Sequence, residues 1–191
     1  EDTVIKLKDN CKGFEYGSER PVISFMRGEA SNIAMTNMIE NLTVDIGKGN
    51  HGAIGVVHFA NNTGAARNLR IISRDGGGSA GFAILHDKAS ACLGENIEVE
   101  GFDYGFKVTP QTHFAFFEHI KAKNQKRAGF FVGDTVVSIN DYESDNARPA
   151  LRCVGTGGHT VCINGKFHGQ TKDDIAVRHE FGTLYLRNIE V

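Results

Sequence analysis

The sequence NIEVEGFDYGFKV, residues 96–108, decides the fold. It contains two short segments, Asn96–Val99 and Gly105–Val108, in which apolar side chains alternate with other residues. This alternation predicts β-strands, because successive side chains of a strand point to opposite faces of the sheet. Gly101 and Asp103 lie between the two segments and are typical turn residues. The stretch therefore predicts two short strands joined by a tight turn.

Both segments recur along the chain. Copies of the first are Asn41–Val44, Asn68–Ile71, Asn96–Val99 and Asn188–Val191, with looser copies at His119–Ala122 and Thr160–Ile163. Copies of the second follow one another after 21 to 28 residues and are Ala53–Val56, Gly81–Ile84, Gly105–Val108, Gly129–Val132, Ala150–Cys153 and Asp174–Val177. A sustained helical pattern of apolar residues is absent from the sequence. The chain is therefore a repeat protein built from strands.

Two strands per repeat, separated by Gly and Asn, predict an all-β parallel β-helix of about six to seven coils. Strands of neighbouring coils would lie about 4.8 Å apart, so that inward side chains stack as ladders. One expected ladder is Ile54, Phe82, Phe106, Phe130, Leu151 and Ile175, and the next is Val56, Ile84, Val108, Val132, Cys153 and Val177. A leucine-rich repeat is disfavoured because its Leu-rich consensus is absent. A β-sandwich would not explain why the two segments alternate.

We expect residues 1–39 to form an N-terminal strand and a cap-like segment, and residues 40–191 to form the coils of a single domain. Strand-like residues stand at both ends, at Thr3–Leu7 and Asn188–Val191. The sequence is therefore expected to be part of a longer chain with additional domains. Its last coil is expected to be uncapped, or covered by a neighbouring chain or another domain.

The composition of the 191 residues argues against several classes of protein. Hydrophobic residues make up 40% and charged residues 23%, which is typical of a soluble globular domain. The net charge of −2 argues against a nucleic-acid partner held on a broad basic face. The sequence lacks an apolar run of about eighteen residues, so a membrane partner is not expected. It also lacks Trp, so a surface that stacks on sugars would use Tyr, Phe or His.

The four cysteines show no spacing typical of a metal site, so no metal site is predicted. Strand alternation predicts that Cys153 points inward and Cys162 outward. Free, mostly buried thiols are therefore favoured, with a Cys153–Cys162 disulfide as the alternative.

The residues 40–50, 61–69 and 99–105 resemble bacterial proteins of the pectate-lyase-like β-helix superfamily, near its polygalacturonase-related members. The resemblance covers residues 35–135. It implies a right-handed parallel β-helix, export to an extracellular or periplasmic location, and action on polysaccharides. No cofactor is expected, although a lyase could use calcium. The polygalacturonase motif order is not present, since Gly157-Gly158-His159 precedes Asp173-Asp174, and both are more typical of turns.

The strongest candidate site is a basic column on the outer face of the second strand set. Lys107, Arg152 and Arg178 occupy outward positions there, with Phe131 between the first two. Asp87 and Glu180 are expected to flank the groove. A row of cations could bind the carboxylates of an acidic glycan, and in a lyase one of them would abstract a proton. The alternative is a strand face that carries ordinary solvated charges.

Two further groups of residues are candidates. Asp103 and Tyr104 stand at a turn where a sugar could stack on the ring and bind the carboxylate, and Tyr16, Tyr142 and Tyr185 also fall near turns or strand edges. His58 and His86 are expected to stack in neighbouring coils, and His86 beside Asp87 suggests acid–base chemistry. The alternative is a structural polar ladder. The Phe-rich run at residues 113–117 is expected to be core.

The sequence thus supports two hypotheses about function. The first is a secreted polysaccharide lyase or glycoside hydrolase that acts on a polysaccharide or oligosaccharide. The second is a non-catalytic carbohydrate-binding module, or an adhesin segment, of a larger secreted protein.

Overall fold

The computed structural model describes residues 3–25, 34–87, 89, 92–109, 114–172 and 174–191. All regular elements in these ranges are strands, and none of the described residues belongs to a helix that could span a membrane. The strands are β1 (Thr3–Lys6), β2 (Arg20–Ser24), β3 (Met38–Asp45), β4 (Ala53–Val57), β5 (Ala65–Ile72), β6 (Ala80–Ile84), β7 (Cys92–Glu100), β8 (Tyr104–Val108), β9 (Ala115–Lys123), β10 (Ala128–Val132), β11 (Val136–Asp145), β12 (Leu151–Cys153), β13 (His159–His168), β14 (Val177–His179) and β15 (Thr183–Glu190).

The strands alternate between two parallel sheets. The odd-numbered strands form an eight-stranded sheet, which we call the odd sheet, and the even-numbered strands form a seven-stranded even sheet. Each strand pairs with the strands one coil before and after it. The predicted all-β parallel β-helix is therefore confirmed, as a solenoid of about six turns. β1 and β2 join these sheets by pairing with β3 and β4, and a separate cap-like segment at residues 1–39 stays a prediction.

A column of left-handed residues bends the strands of the odd sheet. Seven residues with φ between 52° and 57° follow one another in register: Asn41, Asn68, Asn96, His119, Asp141, Asn164 and Asn188. Asn adopts this conformation more readily than most residues. The amide of Asn68 donates to Asn41 Oδ1 at 2.8 Å, and that of Asn96 donates to Asn68 Oδ1 at 2.8 Å. The recurring Asn of the sequence therefore marks a bend within these strands.

The interior is filled with stacked aromatic rings. Phe82, Phe106 and Phe130 lie in register on β6, β8 and β10 and are fully buried. The ring centroids of Phe106 and Phe130 are 5.3 Å apart, and Phe117 meets both rings edge-on from the odd sheet. Burying one Phe side chain contributes about 1.5–3 kcal/mol. The central Phe ladder of the prediction is confirmed.

The ends of the expected ladders are wrong by two residues. Val56 pairs with Phe82, and Ile54 pairs with Ala80; likewise Val177, and not Ile175, pairs with Leu151. Inward glycines explain the shift, because a Cβ at Gly81 would lie 2.2 Å from Val99 Cγ1. The true repeat therefore aligns the glycines at 55, 81, 105 and 129, which share this crowded position.

The same shift moves His58 into the core. Its ring lies between those of Phe25 and Phe82, at 5.5 and 5.9 Å, and is buried. Neither ring nitrogen has a hydrogen-bond partner among the described residues. Burial lowers the pKa of His58 to about 4, and the backbone of Asn37 offsets only part of this effect. The expected stacking of His58 on His86 is wrong, since His86 contacts Phe59, with ring centroids 4.7 Å apart.

The expectation of free, mostly buried thiols is confirmed, but two other expectations about burial are corrected. All four cysteines are free thiols, and Cys162 is buried like Cys153, because the left-handed residue of its strand is Asn164 and not Thr160. Burial raises the pKa of the Cys162 thiol to about 12. In the Phe-rich run at residues 113–117, Phe117 is core, whereas Phe114 and Phe116 are exposed; His113 lies outside the described residues.

Candidate functional site

A polar cleft lies on the outer face of the even sheet, and we call it the even-sheet cleft. Its volume is about 370 Å³. We call the part formed by β8 and β10 the floor; the rest of the lining comes from the segment before β2 and from the turns before β4, β6, β8 and β10. The lining residues are Tyr16, Gly17, Glu19, His51, Gly52, Ser79, Asp103, Tyr104, Lys107, Arg127 and Phe131.

Strand register places the floor of the cleft within the predicted basic column. Lys107 pairs with Phe131, Phe131 pairs with Arg152, and Arg152 pairs with Arg178. These four residues therefore form one column of neighbouring side chains along the solenoid. Lys107 and Phe131 line the cleft, while Arg152 and Arg178 follow in the next two coils. The role of the column stays a prediction.

Both Lys107 and Arg127 in the cleft form an ion pair with a carboxylate of the protein. Lys107 Nζ lies 3.1 Å from Glu19 Oε1, and Arg127 Nε lies 3.3 Å from Asp103 Oδ2. The hydroxyl of Ser79 also donates to Glu19 Oε1, at 2.5 Å. Burial raises the pKa of Glu19, but the hydrogen bonds from Ser79 and Lys107 outweigh it and hold the pKa below its ordinary value. Glu19 is therefore an ionised carboxylate at neutral pH.

Two aromatic rings on the floor, Tyr104 and Phe131, lie next to each other with their planes inclined at 53°, and we call this pair the platform. The centroids of Tyr104 and Phe131 are 5.0 Å apart. Lys107 Nζ and the guanidinium carbon of Arg127 lie 5.8 and 5.9 Å from the Tyr104 ring centroid, which is within cation–π range. Tyr16, which also lines the cleft, is 79% exposed. The cleft therefore combines aromatic faces with fixed charges.

The other predicted site residues lie outside this cleft. Glu180 forms an ion pair with Arg152 at 3.0 Å, so that this cation is also neutralised. For Arg178, the described part of the chain shows no ion pair. His86 and Asp87 contact each other, with Nδ1 and Oδ1 3.2 Å apart, but do not line the cleft.

Two of the four tyrosines line the cleft, and the other two lie elsewhere. Tyr16 and Tyr104 line it, whereas Tyr185 is exposed on the odd sheet. Tyr142 is fully buried and donates a hydrogen bond to the carbonyl of Ala150 at 2.7 Å. The expectation that Tyr142 lies at a sugar-binding surface is therefore wrong.

Sequence reasoning missed Glu19, Ser79 and Arg127. Glu19 meets Lys107 across 88 residues of sequence, and only the winding of the solenoid brings the two together. A local pattern could not have found them. The one available signal was the 24-residue spacing from Asp103 to Arg127 and from Tyr104 to Ala128, which places consecutive coils side by side.

A second concave surface follows the left-handed column of the odd sheet. It has a volume of about 340 Å³ around Asn41, Asn68 and Asn96, and it extends to His119. His119 Nδ1 lies 2.6 Å from Asp141 Oδ2, and this contact raises the pKa of His119. The side-chain amides of Asn41, Asn68 and Asn96 form hydrogen bonds with one another along the column, and these bonds stabilise the bend in the strands.

Among the residues described, no three His, Cys, Asp or Glu side chains converge as they would around a metal ion. No protein-family model, curated protein or solved structure matches the chain. The fold therefore defines the protein as a parallel β-solenoid, and its site must be interpreted from its own residues.

Proposed function

We propose that the protein binds a polysaccharide or oligosaccharide in the even-sheet cleft. The observation that supports this proposal is the Tyr104–Phe131 platform beside the Glu19–Lys107 and Asp103–Arg127 pairs. A sugar ring has an apolar C–H face and a rim of hydroxyl groups. Aromatic side chains provide large apolar faces, and ionised groups form the stronger hydrogen bonds with hydroxyls. The cleft offers both kinds of contact within one cavity.

Binding without catalysis is the form of this function that we favour. A glycoside hydrolase needs a carboxylic acid that stays protonated near neutral pH, which requires a raised pKa. The Glu19 carboxyl has a lowered pKa instead, because Ser79 and Lys107 stabilise its charge. The Lys107 amine is already engaged in an ion pair with Glu19, so it is not free to abstract a proton from a substrate. We therefore propose a carbohydrate-binding domain of a secreted protein.

The test compares two tyrosines. Tyr104→Ala should weaken oligosaccharide binding at least about tenfold, or about 1.4 kcal/mol, because it removes one ring of the platform. Tyr185→Ala is the matched control, since Tyr185 is exposed on the odd sheet, outside the cleft. Glycan-array screening followed by isothermal titration calorimetry would measure both variants. Chromatography of each glycan after incubation would detect cleavage. Equal losses in both variants, or no binding to any glycan, would refute the proposal.

A further inference from the structure

We propose that the even-sheet cleft selects neutral glycans, and that Glu19 is the residue that sets this selectivity. The inference rests on the proposed function and names its ligand class. The basic column of the sequence suggests an acidic glycan, whose carboxylates would bind Lys107. In the structure a carboxylate of the protein itself already occupies that position.

The segment that carries Glu19 is fixed by backbone hydrogen bonds. Gly52 N donates to Phe14 O at 2.9 Å, and Arg20 N donates to Gly52 O at 3.0 Å. Ser18 N donates to Glu15 O at 3.0 Å within the same turn. These contacts join the segment to the coil above it on both sides of Glu19. The backbone that carries the Glu19 carboxylate is thus held in place at the cleft.

Glu19 is also held by two donors. Its Oε1 atom accepts from the Ser79 hydroxyl at 2.5 Å and from Lys107 Nζ at 3.1 Å. The side chain of Lys107 is 16% exposed and that of Glu19 is 50% exposed, so a ligand meets the carboxylate more readily than the amine. A ligand carboxylate would have to displace Glu19 from both donors. A ligand hydroxyl can instead share Glu19 as an acceptor and leave the ion pair intact.

The charges around the platform balance. Glu19 and Asp103 face Lys107 and Arg127 inside the cleft. An acidic sugar would meet two carboxylates, whereas both cations, Lys107 and Arg127, are already paired within the protein. Placing like charges next to each other disfavours a ligand. The next cation along the column, Arg152, is neutralised in the same way by Glu180. Lys107, Arg127 and Arg152 are therefore each paired with a carboxylate of the protein.

The experiment is the substitution Glu19→Gln. Glutamine keeps the size of the side chain and an oxygen that can accept from Ser79, but it leaves Lys107 without a counter-charge. Glu143→Gln is the matched control, because Glu143 holds Lys121 at 2.8 Å on the odd sheet and its loss changes the net charge equally. Thermal melting would show that both variants stay folded.

Isothermal titration would use oligogalacturonate and neutral oligosaccharides of equal length, at low and high salt. The wild-type protein should bind at least one neutral oligosaccharide about tenfold more tightly than oligogalacturonate. Glu19→Gln should raise the affinity for oligogalacturonate at least about tenfold, and salt should reduce this gain because ions screen the attraction between Lys107 and the carboxylates of the ligand. Glu143→Gln should behave as wild type.

The outcomes separate the two proposals. If the wild-type protein prefers oligogalacturonate, or if Glu19→Gln leaves the selectivity unchanged, the inference is wrong although the cleft still binds glycans. If neither the protein nor its variants binds any glycan, the proposed function fails and the inference fails with it.

Discussion

The buried His58 makes the stability of the protein depend on pH in a way that can be calculated. The pKa of its imidazole is lowered from 6.5 to about 4, chiefly by burial. Above pH 6.5 the imidazole is neutral in both the folded and the unfolded chain. Between pH 6.5 and 4 the unfolded chain binds a proton that the folded protein excludes, so acid favours unfolding. Each unit of pKa difference corresponds to about 1.4 kcal/mol, which predicts a loss of about 3 kcal/mol.

The substitution His58→Phe should remove this loss. The ring space between Phe25 and Phe82 stays filled, and two nitrogens without partners among the described residues are replaced by carbon. Removing unsatisfied buried polar atoms should also leave stability at pH 8 equal or higher. Urea unfolding at intervals from pH 4 to pH 8 would measure the free energy of unfolding of both proteins.

The difference between the two curves is the informative quantity, because other titrating groups contribute equally to both. As the pH is lowered from 8 to 4, the free energy of unfolding of the wild-type protein should fall by about 3 kcal/mol more than that of His58→Phe. Most of this additional loss should occur between pH 6.5 and 4. Parallel curves over this range would refute the reasoning, since they would mean that His58 accepts a proton inside the folded protein.

Two further predictions concern the two sheets. Phe106→Ala should lower the free energy of unfolding by about 3–5 kcal/mol, because it opens a cavity in the stacked core. Phe116→Ala, on the exposed face, should change it little. Urea unfolding would measure both variants, and equal losses would contradict a stabilising role of the Phe ladder. His119 has the opposite sign to His58: its pKa is raised by the hydrogen bond to Asp141, so it stabilises the folded state at low pH and this contribution is lost as pH rises through the folded pKa. His119→Asn should keep the bend and abolish that contribution, and an NMR pH titration of the His119 ring at or below its ordinary pKa would contradict the assignment.

Much of the fold follows from the sequence because its repeat has a short-range physical cause. The alternation in Gly105–Val108 and its copies arises from side chains that point alternately into and out of the solenoid. The recurring Asn reflects a backbone conformation that few other residues adopt with ease. Both causes act within a few residues. They predict the parallel coils, the Phe82–Phe106–Phe130 ladder and the column from Lys107 to Arg178.

Strand alignment at the less regular coils needed the tertiary structure. Ala53–Val56 resembles Gly81–Ile84 in sequence, yet Gly55 is the residue that aligns with Gly81. The physical reason is crowding from the opposite sheet, which leaves no space for a Cβ at the inward position. Periodicity within a single strand does not contain this information. A two-residue error therefore placed His58 beside His86.

The candidate site was decided almost wholly by the winding of the chain. The sequence identifies Asp103, Tyr104 and Lys107 as neighbours because they lie within five residues. It does not identify Glu19, which reaches Lys107 from 88 residues away and neutralises the cation of the basic column that lines the cleft. Local side-chain alternation determines which residues face outward, because it depends on the backbone of one strand. The charge that a ligand meets depends on which distant coils the solenoid brings together, and only the tertiary structure determines that.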